Sequence, residues 1–155
     1  MVNLGGYFMN KIFRITIVSF ISGIMLIVVL YLFKFLHTSR AYDLLFNFEY
    51  IPIIGAYNDN MALGLLFHFG TCIISTIVLY YIVKAFHVEL SLLSYILPIT
   101  IGSAVLYFLS GFTSEAPSPF DLTSWGMWVF AHLIYSMMIA YGMKFWVLHN
   151  KSGSE

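Results

Sequence analysis

The sequence predicts an all-α integral membrane protein: a four-helix transmembrane bundle with a short interfacial helix in its first external loop. Three observations carry this reading. The 155 residues are 61% hydrophobic and only 9% charged, with a mean hydropathy of +0.90. A soluble domain has about a quarter of its residues charged, so this chain lacks the polar surface to cover a core in water. Second, its charges divide it into four runs free of Asp, Glu, Lys and Arg: Ile15–Phe33, Ala62–Val83, Leu90–Ser114 and Leu122–Met143. Each reaches the roughly 20 residues that a helix needs to cross about 30 Å of hydrocarbon. Third, runs this long do not alternate over about ten residues as the strands of a membrane barrel do, and a helix satisfies its own backbone in lipid.

One membrane domain, 1–155, with spans near 15–36, 61–86, 90–112 and 123–147, follows. Lys11 and Arg14 precede the first span, which is too long for a signal sequence and lacks a small-residue cleavage pattern after it, so it is read as retained. The segment Thr38–Asn60 is long for a loop and strongly apolar, with Leu44, Leu45, Phe46, Phe48 and Ile51 interrupted by Pro52 and Gly55. A short interfacial helix near Tyr42–Phe48 and an irregular turn over Ile51–Gly55 are expected, together forming an apolar lid on the bundle or dipping into the bilayer. His87–Glu89 makes a tight turn, and Ala116–Pro119 breaks the chain between the third and fourth spans. Pro98 should kink the third span. Trp125 and Trp128 at one end of the fourth span and Trp146 at the other suit interfacial aromatic belts.

Placing the N-terminus in the cytoplasm puts Lys11, Arg14, Lys84, Lys144 and Lys151 inside and Lys34 and Arg40 outside, five against two. The excess of inside Lys and Arg favours this orientation, with both termini cytoplasmic in the cell's inner membrane. The formal net charge of zero gives no reason to expect nucleic acid as a partner. Cys72 is the sole cysteine, so no intrachain disulfide can form.

Membrane helices associate through small residues and interhelical hydrogen bonds, so polar and small stripes mark inward faces. These stripes are Thr16, Ser19, Ser22 and Gly23 in the first span; His68, Thr71, Cys72, Ser75 and Thr76 in the second; Ser91, Tyr95, Pro98 and Gly102 in the third; and Trp128, His132, Tyr135, Ser136 and Ala140 in the fourth. Ionisable residues within a span are the first functional candidates, which singles out His68 and His132. Each lies seven residues beyond the start of its span, counted from Met61 and Trp125, or roughly 10 Å deep at about 1.5 Å per residue. Thr71, Cys72, Ser75, Tyr135 and Ser136 flank them. The external acids Asp59, Glu115 and Asp121 could form a rim, or a mouth that collects cations above the histidines.

Several chemistries remain open for the pair: hydrogen-bonding structural histidines, a pH-sensitive switch, a proton relay, and a metal or haem site with His68 and His132 as axial ligands. No zinc-ligand spacing supports a metal, and no nucleophile elbow, phosphate-binding loop or dinucleotide fingerprint supports an enzyme. Leu66-Phe-His68-Phe-Gly70-Thr71 and Ala131-His132-Leu-Ile-Tyr135-Ser-Met-Met-Ile-Ala-Tyr141-Gly142 resemble the histidine-bearing spans of the YagU-like family of small bacterial inner-membrane proteins. The resemblance implies a four-span bacterial inner-membrane protein and no particular activity. The expectation is a small membrane protein without cofactor or catalytic machinery, working in the bilayer through another membrane protein or as a homo-oligomer. The alternatives are an oligomeric proton or cation transporter and a haem- or metal-binding membrane protein.

Overall fold

The computed structural model describes residues 4–37, 39–114 and 117–149, without the side chains of 4–9 and 37. Glu115 and Lys151 therefore lie outside the described residues. Among those described there is no strand. The elements are α1 (Leu4–His37), α2 (Ala41–Leu44), α3 (Met61–Ala85), α4 (Leu93–Leu106) and α5 (Leu122–Gly142). A 3-10 turn, Tyr107–Phe112, prolongs α4, and a π turn, Met143–Val147, prolongs α5. Four stretches are long and apolar enough to cross a membrane: Asn10–Leu36, Met61–Ala85, Leu93–Phe112 and Leu122–Val147. This is a four-span, all-α membrane fold.

Side chains near the starts and ends of the helices explain their limits. α1 begins well before the uncharged run, and within its early turns Arg14 Nε donates to Asn10 Oδ1 at 3.0 Å. Asn60 Oδ1 accepts the Ala62 and Leu63 N–H groups at the start of α3, and Asp121 Oδ1 accepts those of Thr123 and Ser124 at the start of α5. Each cap satisfies backbone donors that the helix itself cannot. At the end of α3, His87 takes a left-handed conformation (φ 57°) and Val88 N–H bonds Val83 O at 3.0 Å, a Schellman-type closure made without glycine. That turn runs on through Ser91, whose N–H bonds Val88 O. The third helix accordingly starts at Leu93, later than the uncharged run suggested.

The helices pack in the order α3–α1–α5–α4, and α3 and α4 scarcely touch. Small residues set the close contacts. Gly142 sits so near α1 that an added Cβ would come within 2.6 Å of Val18 Cγ1. Ser19, Ser22, Ser136 and Ala140 are fully buried or nearly so. α4 and α5 are joined by hydrogen bonds across the pair: Trp125 Nε1 to Ala104 O (3.1 Å), Trp128 Nε1 to Ser103 O (2.8 Å), and Thr100 Oγ1 with Ser136 Oγ (3.1 Å). Trp146 is exposed and Trp125 half-buried, as a belt allows, whereas Trp128 departs from it. Trp128 is buried, because its indole N–H finds a carbonyl on the neighbouring helix. The inward face of α4 carries Tyr95, Ser103 and Tyr107, whereas Ser91 and Pro98 are exposed. At the opposite end from the lid, Lys11 and Lys84 flank Tyr80, and Arg14 Nη1 donates to Trp146 O at 3.2 Å. The beginnings of α1 and the ends of α3 and α5 therefore share one basic end.

Residues 39–60, between α1 and α3, form a lid. Its helix is one turn, Ala41–Leu44, rather than the longer Tyr42–Phe48. It stops there because Asn47 Oδ1 accepts from Glu49 N (2.9 Å) and Asn58 Oδ1 from Phe48 N (2.8 Å), side-chain bonds that compete with helix. Ala41, Leu44, Leu45 and Phe48 are buried against the bundle. Ile53 occupies the centre of a γ-turn (φ 73°, ψ −59°) closed by Ile54 N–H to Pro52 O at 2.9 Å, a strained conformation for a β-branched residue. Gly55 follows where any Cβ would run into the Glu49 carbonyl. Glu49 Oε2 accepts both the N–H (2.8 Å) and the hydroxyl (3.1 Å) of Ser114, clasping the lid to the α4–α5 loop.

Two outcomes follow from these contacts. Gly142→Ala should destabilise the folded protein in detergent by about 1–3 kcal/mol through overpacking, read as a lower thermal midpoint. Gly126→Ala, where a Cβ would meet nothing within 4 Å, should leave the midpoint unchanged or higher. The two Ser114 donors hold the Glu49 carboxyl below its ordinary range. A lowered pKa means that the clasp is fully present above the ordinary glutamate value and lost as pH falls through the lowered one. A dye on Ala56→Cys, in a Cys72→Ala background, should show restricted anisotropy at pH 7 that falls in acid. Glu49→Gln should show the looser value already at pH 7.

Candidate functional site: a cleft between α3 and α4

Because α3 leans on α1 and α4 on α5, a gap of about 390 Å³ opens between α3 and α4. One wall is α3, with Thr71, Ser75, Val78 and Ile82; the other is α4, with Pro98, Ile99, Gly102 and Leu106. The floor is α5, with Trp128, His132 and Tyr135. Leu44, Leu45, Tyr50 and Phe67 close the lid end. The lining contains no Asp, Glu, Lys or Arg. On α3 the cleft runs from Phe67 to Ile82, roughly 22 Å at about 1.5 Å per residue, which is most of the hydrocarbon thickness.

The histidines are positioned by different bonds. His68 Nε2 lies 3.2 Å from Gly23 O on α1. A carbonyl can only accept, so in the neutral ring the proton is on Nε2 and Nδ1 is left as an acceptor. Gly23 permits this approach: a Cβ there would press on Phe69 at 3.2 Å and Cys72 Sγ at 3.4 Å. His132 Nδ1 lies 2.8 Å from Trp128 O, one turn back on its own helix, leaving Nε2 as the acceptor. Neither remaining ring nitrogen has a hydrogen-bond partner among the described residues. Phe46 from the lid meets the His68 ring edge-on at 5.8 Å, and Trp128 lies 4.3 Å from the His132 ring.

The other polar groups are divided between packing and the cleft. Cys72 and Thr76 are buried, and Thr76 Oγ1 donates to Cys72 O at 2.8 Å. Tyr135 OH reaches the same carbonyl at 3.5 Å, a long bond that ties α5 to α3. Thr71 and Ser75 are exposed to the gap, and the Ser75 hydroxyl donates back to Cys72 O. Six candidates from the sequence therefore share this cleft: His68, Thr71, Cys72, Ser75, His132 and Tyr135. Ser136 is buried, its hydroxyl paired with Thr100 on α4. Asp121 caps α5, and Asp59 lines a separate pocket at the lid end. Among the described residues no three metal-ligating side chains gather.

Leu44 and Leu45 were expected in the lid, but the α4 wall residues Ile99 and Leu106 were not singled out from the sequence. Pro98 and Gly102 were expected to face inward for packing, yet both line the gap. Their small or ring-closed side chains leave room there, a signal that becomes legible only once α4 is known to stand away from α3. Chemically, the cleft offers acceptor nitrogens and hydroxyl groups inside an apolar trough, with no Asp, Glu, Lys or Arg in its lining.

No protein-family model, curated protein or solved structure matches this chain.

The two histidine bonds make unequal demands. His68→Leu removes a bond between helices and should lower stability by about 1–2 kcal/mol. His132→Leu removes one within a helix and should cost less than half of that. Equal losses in thermal or denaturant unfolding would contradict this division.

Proposed function

We propose that this is a small, non-enzymatic, multi-pass protein of the bacterial inner membrane that acts by docking a transmembrane helix of a partner into the α3/α4 cleft. In this reading the lid faces outward and both chain ends are cytoplasmic, in keeping with the basic end formed by Lys11, Arg14, Lys84 and Lys144. The observation that carries it is the cleft itself: a trough most of a span in length, with Thr71, Ser75 and two acceptor nitrogens set into hydrocarbon. Unsatisfied polar groups are costly at that depth, and a helix bearing small or hydroxyl residues could supply both the packing and the donors. The lid, which walls the cleft at one end, and the absence of charged lining both favour a guest that arrives sideways from the bilayer over an ion that arrives from water.

The test is photocrosslinking in native membranes. A photoreactive residue at Val78 or Leu106, beside the cleft, should give one discrete protein adduct, and one at Phe20, which is exposed on α1, should give none. An adduct of twice the chain's mass identifies the guest as a second copy, and any other single mass a different membrane protein. Labelling of lipid alone from both cleft positions would overturn the reading.

A further inference from the structure

A second pocket, also of about 390 Å³, opens at the lid end between the end of α1 and the start of α3. It is separate from the α3/α4 cleft and of different chemistry. Lys34, Arg40, Asp43 and Asp59 line it together with Asn47, Asn58 and Asn60. Asp43 holds both cations, Lys34 at 2.6 Å and Arg40 at 3.8 Å. The formal charge of these four groups cancels, with two cations against two acids.

The amides have a fixed sense. Asn47 Oδ1 accepts from Glu49 N, Asn58 Oδ1 from Phe48 N, and Asn60 Oδ1 from Ala62 N and Leu63 N. Backbone N–H groups can only be met by oxygen, so in all three the amide NH2 is the other end; that of Asn47 turns to the Glu49 carboxylate, and those of Asn58 and Asn60 are left for a ligand. The Asn58 and Asn60 NH2 groups have no partner among the described residues. Asp59 likewise makes no hydrogen bond or ion pair among the described residues. The pocket thus sets amide donors and two cations on one side of its chemistry, and an unpaired carboxylate on the other.

Its remaining lining is apolar: Tyr42, Phe46, Met61 and Gly64. Met61 is the first residue of α3 and Lys34 lies in the last turn of α1. Both helices are membrane spans, which puts the polar part of the pocket at the level of lipid headgroups and the apolar part toward the chains. A soluble anion would leave Asp59 unpaired and would make no use of the apolar rim.

We infer that this pocket binds the zwitterionic headgroup of a bilayer lipid, a phosphodiester carrying a primary ammonium. The phosphate takes the Asn58 and Asn60 NH2 groups and the Lys34 and Arg40 donors, the ammonium pairs with Asp59, and the acyl chains run down past Met61. A quaternary ammonium cannot donate to Asp59, and a glycerol headgroup brings an anion with no cation.

The experiment measures binding of short-chain lipids with phosphoethanolamine, phosphocholine or phosphoglycerol headgroups to the detergent-solubilised full chain, by native mass spectrometry. Phosphoethanolamine should be retained roughly tenfold over the other two, the size of one charge-assisted hydrogen bond. Asp59→Asn should abolish that preference without moving the thermal midpoint, and Arg40→Gln should weaken all three. Equal retention of the three headgroups, a stronger phosphoglycerol complex, or an unchanged preference in Asp59→Asn would overturn the proposal. Displacement of the lipid by millimolar inorganic phosphate would reassign the pocket to a soluble anion.

Discussion

The hydrogen bond from His68 to the Gly23 carbonyl governs the arrangement of this bundle. In hydrocarbon a polar side chain must find its partner in protein, and His68 finds it on α1, where the missing glycine side chain lets the two helices meet. α3 is thereby held to α1. On the far side, Trp125, Trp128 and Thr100 bind α4 to α5 with hydrogen bonds of the same kind. With α1 and α5 joined through Val18 and Gly142, the outer two helices of the row are each fixed to an inner one, and the gap between them stays open.

The gap gives the polar stripe of α3 a divided role. A stripe read on its own suggests uniform packing, because every second-span residue in it recurs at helical spacing. In the folded chain Cys72 and Thr76 are enclosed, while Thr71 and Ser75 look into the cleft. The lid completes the asymmetry: Leu44 and Leu45 seal the cleft toward water while it remains open along the α3–α4 side. Access from the bilayer and exclusion of water follow from the same packing order.

The number of spans, the all-helical class and the lid were legible because they depend on length and composition: uncharged runs near 20 residues, and a loop too apolar to be solvated. The polar part of the cleft was legible too, since His68, Thr71, Cys72, Ser75, His132 and Tyr135 carry polarity into hydrocarbon and therefore mark themselves. Three things were not. The partner of the inward Trp128, the Ser103 carbonyl, belongs to another helix. The short α2 depends on Asn47 and Asn58 reaching backbone groups beyond it. The gap itself depends on which helix each stripe faces, and a single helix does not encode its neighbour. The acids show the same limit: Asp59 and Asp121 read as one rim, yet one lines the lid-end pocket and the other caps a helix.

The openness of the α3/α4 cleft to lipid is the central claim, and spin-label accessibility in bilayers tests it most directly. A nitroxide on Thr71→Cys, in a Cys72→Ala background, should collide readily with oxygen, which partitions into hydrocarbon, and little with a water-soluble nickel complex. A label at Ser19, buried between helices, should be shielded from both. A Thr71 label shielded from both reagents would mean that α3 and α4 are packed together, and one reached by the nickel complex would mean a water-filled path; either result would contradict the arrangement described.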